Sequence, residues 1–279
     1  MCYQEEVYKL LGMSYVPPEL REDHGEIQAA LAGKLPKLIQ VKNIKAELHC
    51  HTTWSDGQTS IMEMAEAAKK RGYKTLAITD HSHSLGLVNG LTVERLQEQR
   101  KEIEKARKKL GDSLLLLHGV EMEIRADASL DLPDETLEWL DIVIAALHVS
   151  MRQPRAQATQ RLLAAIHNPH VDIIGHPTNR LLPEREGADL DMDAVLKAAA
   201  KTGTALEVNA NPKRLDLDDV QARRAVELGI KLAINTDAHH ADHMDFLPFG
   251  VATARRGWAT AAEVINAWTP KQIETWLKS

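Results

Sequence analysis

Cysteine is nearly missing from this chain: of 279 residues only Cys2 and Cys50 carry a thiol, in no zinc-knuckle spacing. That excludes a disulfide framework and points to a reducing compartment, by default the cytosol. No apolar run approaches the length of a membrane span, and the first residues lack the basic-then-apolar pattern of a secretory leader. A surplus of positive charge is also missing, the formal net charge being -6. This argues against indiscriminate coating of nucleic acid, although a local basic patch could still hold a nucleic-acid end. Neither GxGxxG nor GxxxxGK[ST] occurs, so nucleotide-binding folds have no motif support.

What is present is a chain of the right size for one α/β barrel, with 44% apolar residues to fill its core. Residues 1–40 stand apart. Val7, Tyr8, Leu10 and Leu11 suggest a short helix stopped by Gly12, and Pro17-Pro18 fixes an extended turn before an acidic stretch. This segment reads as an arm, a lid or linker appended to a domain spanning 41–279.

From Lys42 onward strand and helix patterns alternate. Strands are expected at 44–49, 74–79, 114–121, 141–147, 171–174, 205–208 and 230–235, short and almost wholly apolar, as a parallel sheet buried on both faces requires. Between them, helices are expected from Thr59 or Ser60 to Gly72, then over 93–110, 156–167, 192–201, 218–228 and 261–268.

Chemistry-bearing residues recur where these strands end: His49-Cys50-His51 with Asp56, then Thr79-Asp80-His81, Gly119-Val120-Glu121, Ala146-Leu147-His148, Gly175-His176-Pro177 and Asn235-Thr236-Asp237-Ala238-His239. His49 and His51, two apart, point to one side of their strand, and Cys50 faces away from them. An open sheet would leave its outer strand ends too far apart to converge. A closed barrel brings six ligand-bearing ends round one mouth. Six imidazoles (His49, His51, His81, His148, His176, His239) and three carboxylates (Asp56, Glu121, Asp237) exceed the needs of one four-coordinate ion. They suit two or three ions sharing a carboxylate, and mixed nitrogen and oxygen donors without thiolate favour zinc, manganese or iron.

The motifs HxHTxxSDG (His49 to Gly57), TDHS, GVE, LHxS, GHP and NTDAH, in that order, resemble the polymerase and histidinol phosphatase (PHP) family. More narrowly they are similar to the C-terminal PHP domain of bacterial and archaeal family X DNA polymerases, and residues 7–36 resemble the segment preceding that domain. The resemblance implies a distorted, TIM-like (β/α)7 barrel with three divalent ions. His49, His51, Glu121 and Asp237 would hold the first ion, Asp56, His81 and His239 the second, and Glu121, His148 and His176 the third. It also implies a polymerase X body, attached elsewhere or lost, as a partner.

Three dications against three carboxylates leave a mouth that attracts anions. A phosphate ester fits that field, and a water bridging the ions would ionise near neutral pH to serve as nucleophile. Around the ligands, Asp80 is expected to hold a ligand imidazole, and His83 to protonate a leaving group or touch phosphate. Arg180 and Arg214, after the fifth and sixth strands, are expected to grip phosphate in fork geometry. Trp54 is within reach of a base or sugar, while His118 reads as a barrel-wall residue. The leading reading is a metal-dependent phosphoesterase acting on DNA 3' ends as a 3'-5' exonuclease and 3'-phosphatase. A histidinol-phosphatase-like monoesterase and a structural module of a polymerase are the alternatives.

Overall fold

A computed structural model of the chain describes residues 3–86 and 88–278; Cys2 lies outside them. Seven parallel strands follow one another round the sheet in chain order: β1 (Ala46–Glu47), β2 (Thr75–Ile78), β3 (Leu115–Glu123), β4 (Ile142–Ala146), β5 (Ile173–Ile174), β6 (Ala205–Asn209) and β7 (Leu232–Asn235). Sequential order with parallel pairing requires a crossover after every strand, and helices supply most of them. They are α3 (Ile61–Lys70), α4 (Val93–Leu110), the single turn α5 (Asp134–Leu137), α6 (Arg155–Ile166), α7 (Met192–Thr202) and α8 (Asp219–Glu227), with α9 (Leu247–Arg256) after β7. Before them stand α1 (Tyr3–Leu10) and α2 (Glu26–Leu31), and α10 (Pro270–Trp276) closes the fold. No helix among the described residues is long and apolar enough to cross a membrane.

Local sequence sets these boundaries. Ser60 accepts the Glu63 backbone N–H while the Glu63 carboxylate reaches back to Ser60 N, so α3 starts on a capping box. It buries Ile61, Met64, Ala65 and Ala68 and is followed by Gly72 at φ 80°. Five strands are shorter than expected, β1 and β5 being two residues each, whereas β3 and β6 each run one residue longer.

The seam between β1 and β7 is closed by other means than a strand ladder. Leu48 N–H donates to the Asn235 side chain (3.3 Å), and Glu47 accepts from the backbone and hydroxyl of Thr236. Past the strand ends, His51 N–H donates to Ala238 O (2.8 Å). The barrel is therefore closed most directly beside its first and last ligands.

The helices α2, α5, α9 and α10 were not expected, and the one expected over 261–268 is not formed. Residues 261–268 form a turn and a single 3-10 segment, Ile265–Ala267, because the Asn266 side chain is used across the seam, donating to Ala46 O and accepting from Ile234 N–H. The helix expected there lies earlier, as α9. Pro248 sits in its first turn, where no N–H is needed, and Gly250 packs so close to β6 and β7 that an added Cβ would lie 2.7 Å from that of Ala210.

The N-terminal arm packs against the barrel's flank. Val16, Leu20, Ala30 and Leu38 form a small separate core with Trp258 beside it, and Arg255, in the last turn of α9, donates to Glu19 (2.7 Å) and to Ile39 O (2.8 Å). No residue of 3–40 lines the cavity at the ligand-bearing mouth, so the arm does not lie over it as a lid.

Candidate metal centre

All nine expected ligands converge on one mouth, and Glu121 stands in the middle. It ends in the long strand β3, fully buried, with its two oxygens facing different partners. Oε2 lies 3.4 Å from His49 Nε2, 3.4 Å from His51 Nε2 and 2.9 Å from His81 Nδ1. Oε1 lies 2.9 Å from His176 Nε2 and 3.3 Å from His148 Nε2. Asp237 Oδ1 is 3.1 Å from His51 Nε2, and Asp56 Oδ1 is 3.4 Å from His239 Nε2.

Among the described residues, three groups have ligand atoms within 4.8 Å of one another: His49, His51 and Asp237; His51, Asp56, His81 and His239; and His81, Glu121 and His148. Here His51 and His81 each belong to two groups, a sharing that the residue spacing did not suggest.

The donor atoms fit cations better than they fit one another. Among the described residues, ten of the fourteen buried side-chain nitrogen and oxygen atoms without a hydrogen bond belong to this cluster, both oxygens of Glu121 among them. Buried polar atoms are normally paired, so their concentration at one point marks a centre built for divalent ions.

Charge at the mouth points the same way. Burial disfavours ionisation of Glu121 and Asp237, yet the facing imidazoles hold both carboxyls well below the ordinary range. Burial likewise disfavours cationic His148 and His239. Carboxylates outweigh it, Glu121 first for one and Asp56 for the other, and raise each to about 9. His51, buried between His239 and His81, falls to about 3. Protons on some imidazoles thus balance the buried carboxylates, a place that divalent cations can take.

A second layer holds these ligands still, and sequence reasoning missed it. Glu207 accepts from His49 Nδ1 (2.8 Å), Asn235 Nδ2 (2.9 Å), Asn209 Nδ2 (3.2 Å) and His176 N–H (2.6 Å). Glu123 accepts from His148 Nδ1 (2.8 Å) and faces the buried Arg161 at 3.4 Å. Such partners fix the imidazole tautomer and orientation. A signal was available: Glu47-His49-His51, Glu121-Glu123 and Glu207-Asn209 are period-two lines on single strand faces.

The residues expected beside the ligands are placed less uniformly. Asp80 does not hold an imidazole; its carboxylate accepts from Thr52 N–H (2.7 Å), the Ser55 hydroxyl (2.5 Å) and Gln99 (2.6 Å), fixing the loop that carries Asp56. It is held there because the chain turns at the strand end and buries it. His83 is drawn 3.5 Å from buried Asp131, so the cavity of 440 Å³ at the mouth is lined by Ser84 rather than by His83.

Arg180 is spent on backbone, donating to Arg214 O (2.8 Å) and Leu215 O, and lies outside that lining. Arg214 does line the cavity, with Nε 3.3 Å from Asp237 Oδ2. Arg185, not foreseen, lines it too. Trp54 packs against the core and donates its indole N–H to Glu102 (3.0 Å). His118 is a buried wall residue bonded to Gln99 (2.9 Å), and Cys50 turns its thiol to Ala77 O (3.1 Å).

Known proteins resemble this chain closely. The PHP domain family model matches residues 47–211. The Bacillus subtilis (strain 168) protein named DNA polymerase/3'-5' exonuclease PolX is 46% identical over 275 residues, 99% of this chain and 48% of its own length. The chain therefore spans about half the length of that relative. A Thermoanaerobacter sp. (strain X514) protein named a probable phosphatase is 33% identical over 69% of this chain and 78% of its own.

Among solved structures, histidinol phosphate phosphatase from Lactococcus lactis, complexed with zinc, L-histidinol and phosphate, superposes with a TM-score of 0.59. At 18% identity over 76% of this chain and 93% of that one, it shares the fold. With a mouth of clustered imidazoles and carboxylates, a seven-stranded parallel barrel and a family model covering most of that barrel, this chain belongs to the PHP-domain family of metal-dependent phosphoesterases.

Proposed function

We propose that this chain hydrolyses phosphoesters at DNA 3' ends, removing terminal nucleotides and terminal phosphates. Three divalent ions, zinc or manganese by the donor set, would be held by His49, His51, Asp56, His81, Glu121, His148, His176, Asp237 and His239. The observation carrying this reading is Glu121: a buried carboxylate with neither oxygen hydrogen-bonded and five imidazole nitrogens within 3.4 Å is built to be shared between ions. Bound ions would supply Lewis acidity and an ionised water near neutral pH.

The chain's own residues do the rest. Arg214 faces the phosphate from the cavity wall, while Arg180 keeps the 214–218 loop in place from behind. Asp80 fixes the loop bearing Asp56, and Glu207 and Glu123 keep His49 and His148 aimed inward. The DNA part rests on the relative named a DNA polymerase and 3'-5' exonuclease, which matches along nearly all of this chain. A polymerase X body, covalent or separate, is the partner this reading suggests, with the cytosol as its compartment. The Thermoanaerobacter relative named a probable phosphatase favours a second reading, a small-molecule phosphomonoesterase.

One substrate panel on metal-loaded protein separates them. Single-stranded DNA and 3'-phosphorylated DNA should be turned over from the 3' end, a circular strand should resist, and histidinol phosphate should be poor. Rapid histidinol phosphate hydrolysis beside inert DNA would establish the second reading instead.

A further inference from the structure

Asn179 is 2% exposed in the loop after β5, with φ at 50°. Its Nδ2 donates to Leu147 O, which fixes the carboxamide, and its Oδ1 then receives two guanidiniums at once: Arg214 through Nη1 and Arg185 through Nη2 (3.0 Å). Arg185 Nη2 also donates to Asn179 O (2.7 Å). The arginine sits on a tight hairpin closed by Leu181 N–H to Arg185 O (2.8 Å) and Arg185 N–H to Leu181 O (2.7 Å), itself pinned by Leu182 N–H to Lys213 O (2.6 Å). Although Arg185 is exposed, its position is therefore fixed.

Two guanidiniums on one neutral acceptor repel each other, and their charges are not equally offset. Arg214 has Asp237 beside it. Arg185 has no carboxylate within ion-pair distance among the described residues, since the nearby Glu184 pairs with Lys213 at 3.0 Å. Both bonds of its guanidinium run through Nη2, leaving Nε and Nη1 for a ligand in the cavity. A fixed, unpaired cation with a free donor edge at the mouth of an anion-attracting site is a phosphate contact.

The kind of phosphate follows from oxygen count. A diester in mid-chain has two non-bridging oxygens and one negative charge, and those oxygens are the ones the centre and Arg214 would engage. A terminal monoester has a third oxygen and, near neutral pH, a second charge. We propose, building on the phosphoesterase reading above, that Arg185, positioned by Asn179, binds the third oxygen of a terminal phosphomonoester and thereby sets the preference for 3'-phosphate removal over diester cleavage.

The test compares two ends of one oligonucleotide, 3'-phosphate and 3'-hydroxyl, on the metal-loaded chain. Arg185→Ala should lower kcat/KM for the phosphorylated end by ~30-fold, mostly through KM, and for the hydroxyl end by only ~3-fold. Arg185→Lys should recover part of the charge effect without the fork, and Asn179→Gly, which suits a positive φ, should reproduce the altered ratio with Arg185 still present. Equal losses on both ends, or an unchanged ratio, would overturn the proposal.

Calorimetric binding of inorganic phosphate reads the same contact without turnover, and its affinity should fall ~10-fold in Arg185→Ala with melting unchanged. A chain inert on both DNA ends would sink the proposed function. Phosphate affinity unmoved by Arg185→Ala would sink this inference alone.

Discussion

At the carboxyl ends of the strands, Glu121 is buried with neither oxygen hydrogen-bonded. At the amino ends, Asp172 accepts the Val143 N–H (2.8 Å), and burial pushes it up to about 7. Both carboxylates meet a cost of desolvation, Glu121 fully buried and Asp172 partly so, and they meet it by different routes. Glu121 stays ionised because five imidazole nitrogens face it, an arrangement that ends in cations. Asp172 has no such neighbours and takes up a proton. The mouth therefore stores burial as affinity for ions, while the amino end settles for a neutral group and an ordinary hydrogen bond.

The largest expected effect comes from breaking the mouth at its centre. Glu121→Gln keeps the shape but removes the shared charge, so turnover should drop at least ~100-fold while circular dichroism still reports a folded barrel. Elemental analysis of the same variant should show fewer than three ions per chain. Retention of most activity at saturating metal would remove Glu121 from its bridging place.

One layer out, the effect should shrink. Glu207→Gln replaces the carboxyl partner of His49 Nδ1 with an amide, and metal affinity should weaken ~10- to 100-fold, read by competition with a chelator. Activity should return as metal is added in excess, which distinguishes an aiming residue from a ligand. An affinity equal to that of the parent would mean that the strands alone aim His49.

The amino end gives a stability signature with the opposite character. Asp172 has a folded-state pKa of about 7 against an ordinary 3.8, so the native state holds a proton the unfolded state has lost. Its contribution is therefore most favourable below about pH 4 and declines as pH rises through 7. Asp172→Asn, which still accepts from Val143, should nearly match the parent at pH 4 and exceed it at pH 8 by up to about 4 kcal/mol. Denaturant titrations at the two pH values check this, and parallel curves for both proteins would show Asp172 to be ionised throughout.

Smallest of all should be Trp54→Ala. With the indole N–H given to Glu102 and the ring 5.9 Å from the Arg95 guanidinium, Trp54 is a packing residue of the first loop. Turnover of DNA and of an aryl phosphate should fall alike, by ~3-fold or less. A loss confined to DNA would restore it as a stacking surface for the terminal base.

Much of the site was legible because ligands at strand ends leave a local trace. An apolar run followed by His, Glu or Asp is visible in the sequence at six places, and the structure brings all six together. The arginines were not separable in this way: Arg180 and Arg214 each follow a strand, but only the path of the 214–218 loop decides that Arg180 is consumed by backbone carbonyls. The helix Leu247–Arg256 was hidden by Pro248 and Gly250, residues that commonly break helices but here serve a first turn and a close approach to the sheet.

By itself, then, the sequence determined the strand–helix alternation, the parallel barrel and the identity of the nine converging residues. These follow from periodicity and from which side chains end each apolar run, properties of short segments. Tertiary structure alone decided which imidazoles are shared between groups, that Glu207 and Glu123 aim them, that Asp80 holds a loop, and that Arg185 rather than Arg180 faces the cavity. Those outcomes depend on distances between atoms of residues far apart in the chain, 158 positions in the case of His49 and Glu207, which no local pattern encodes.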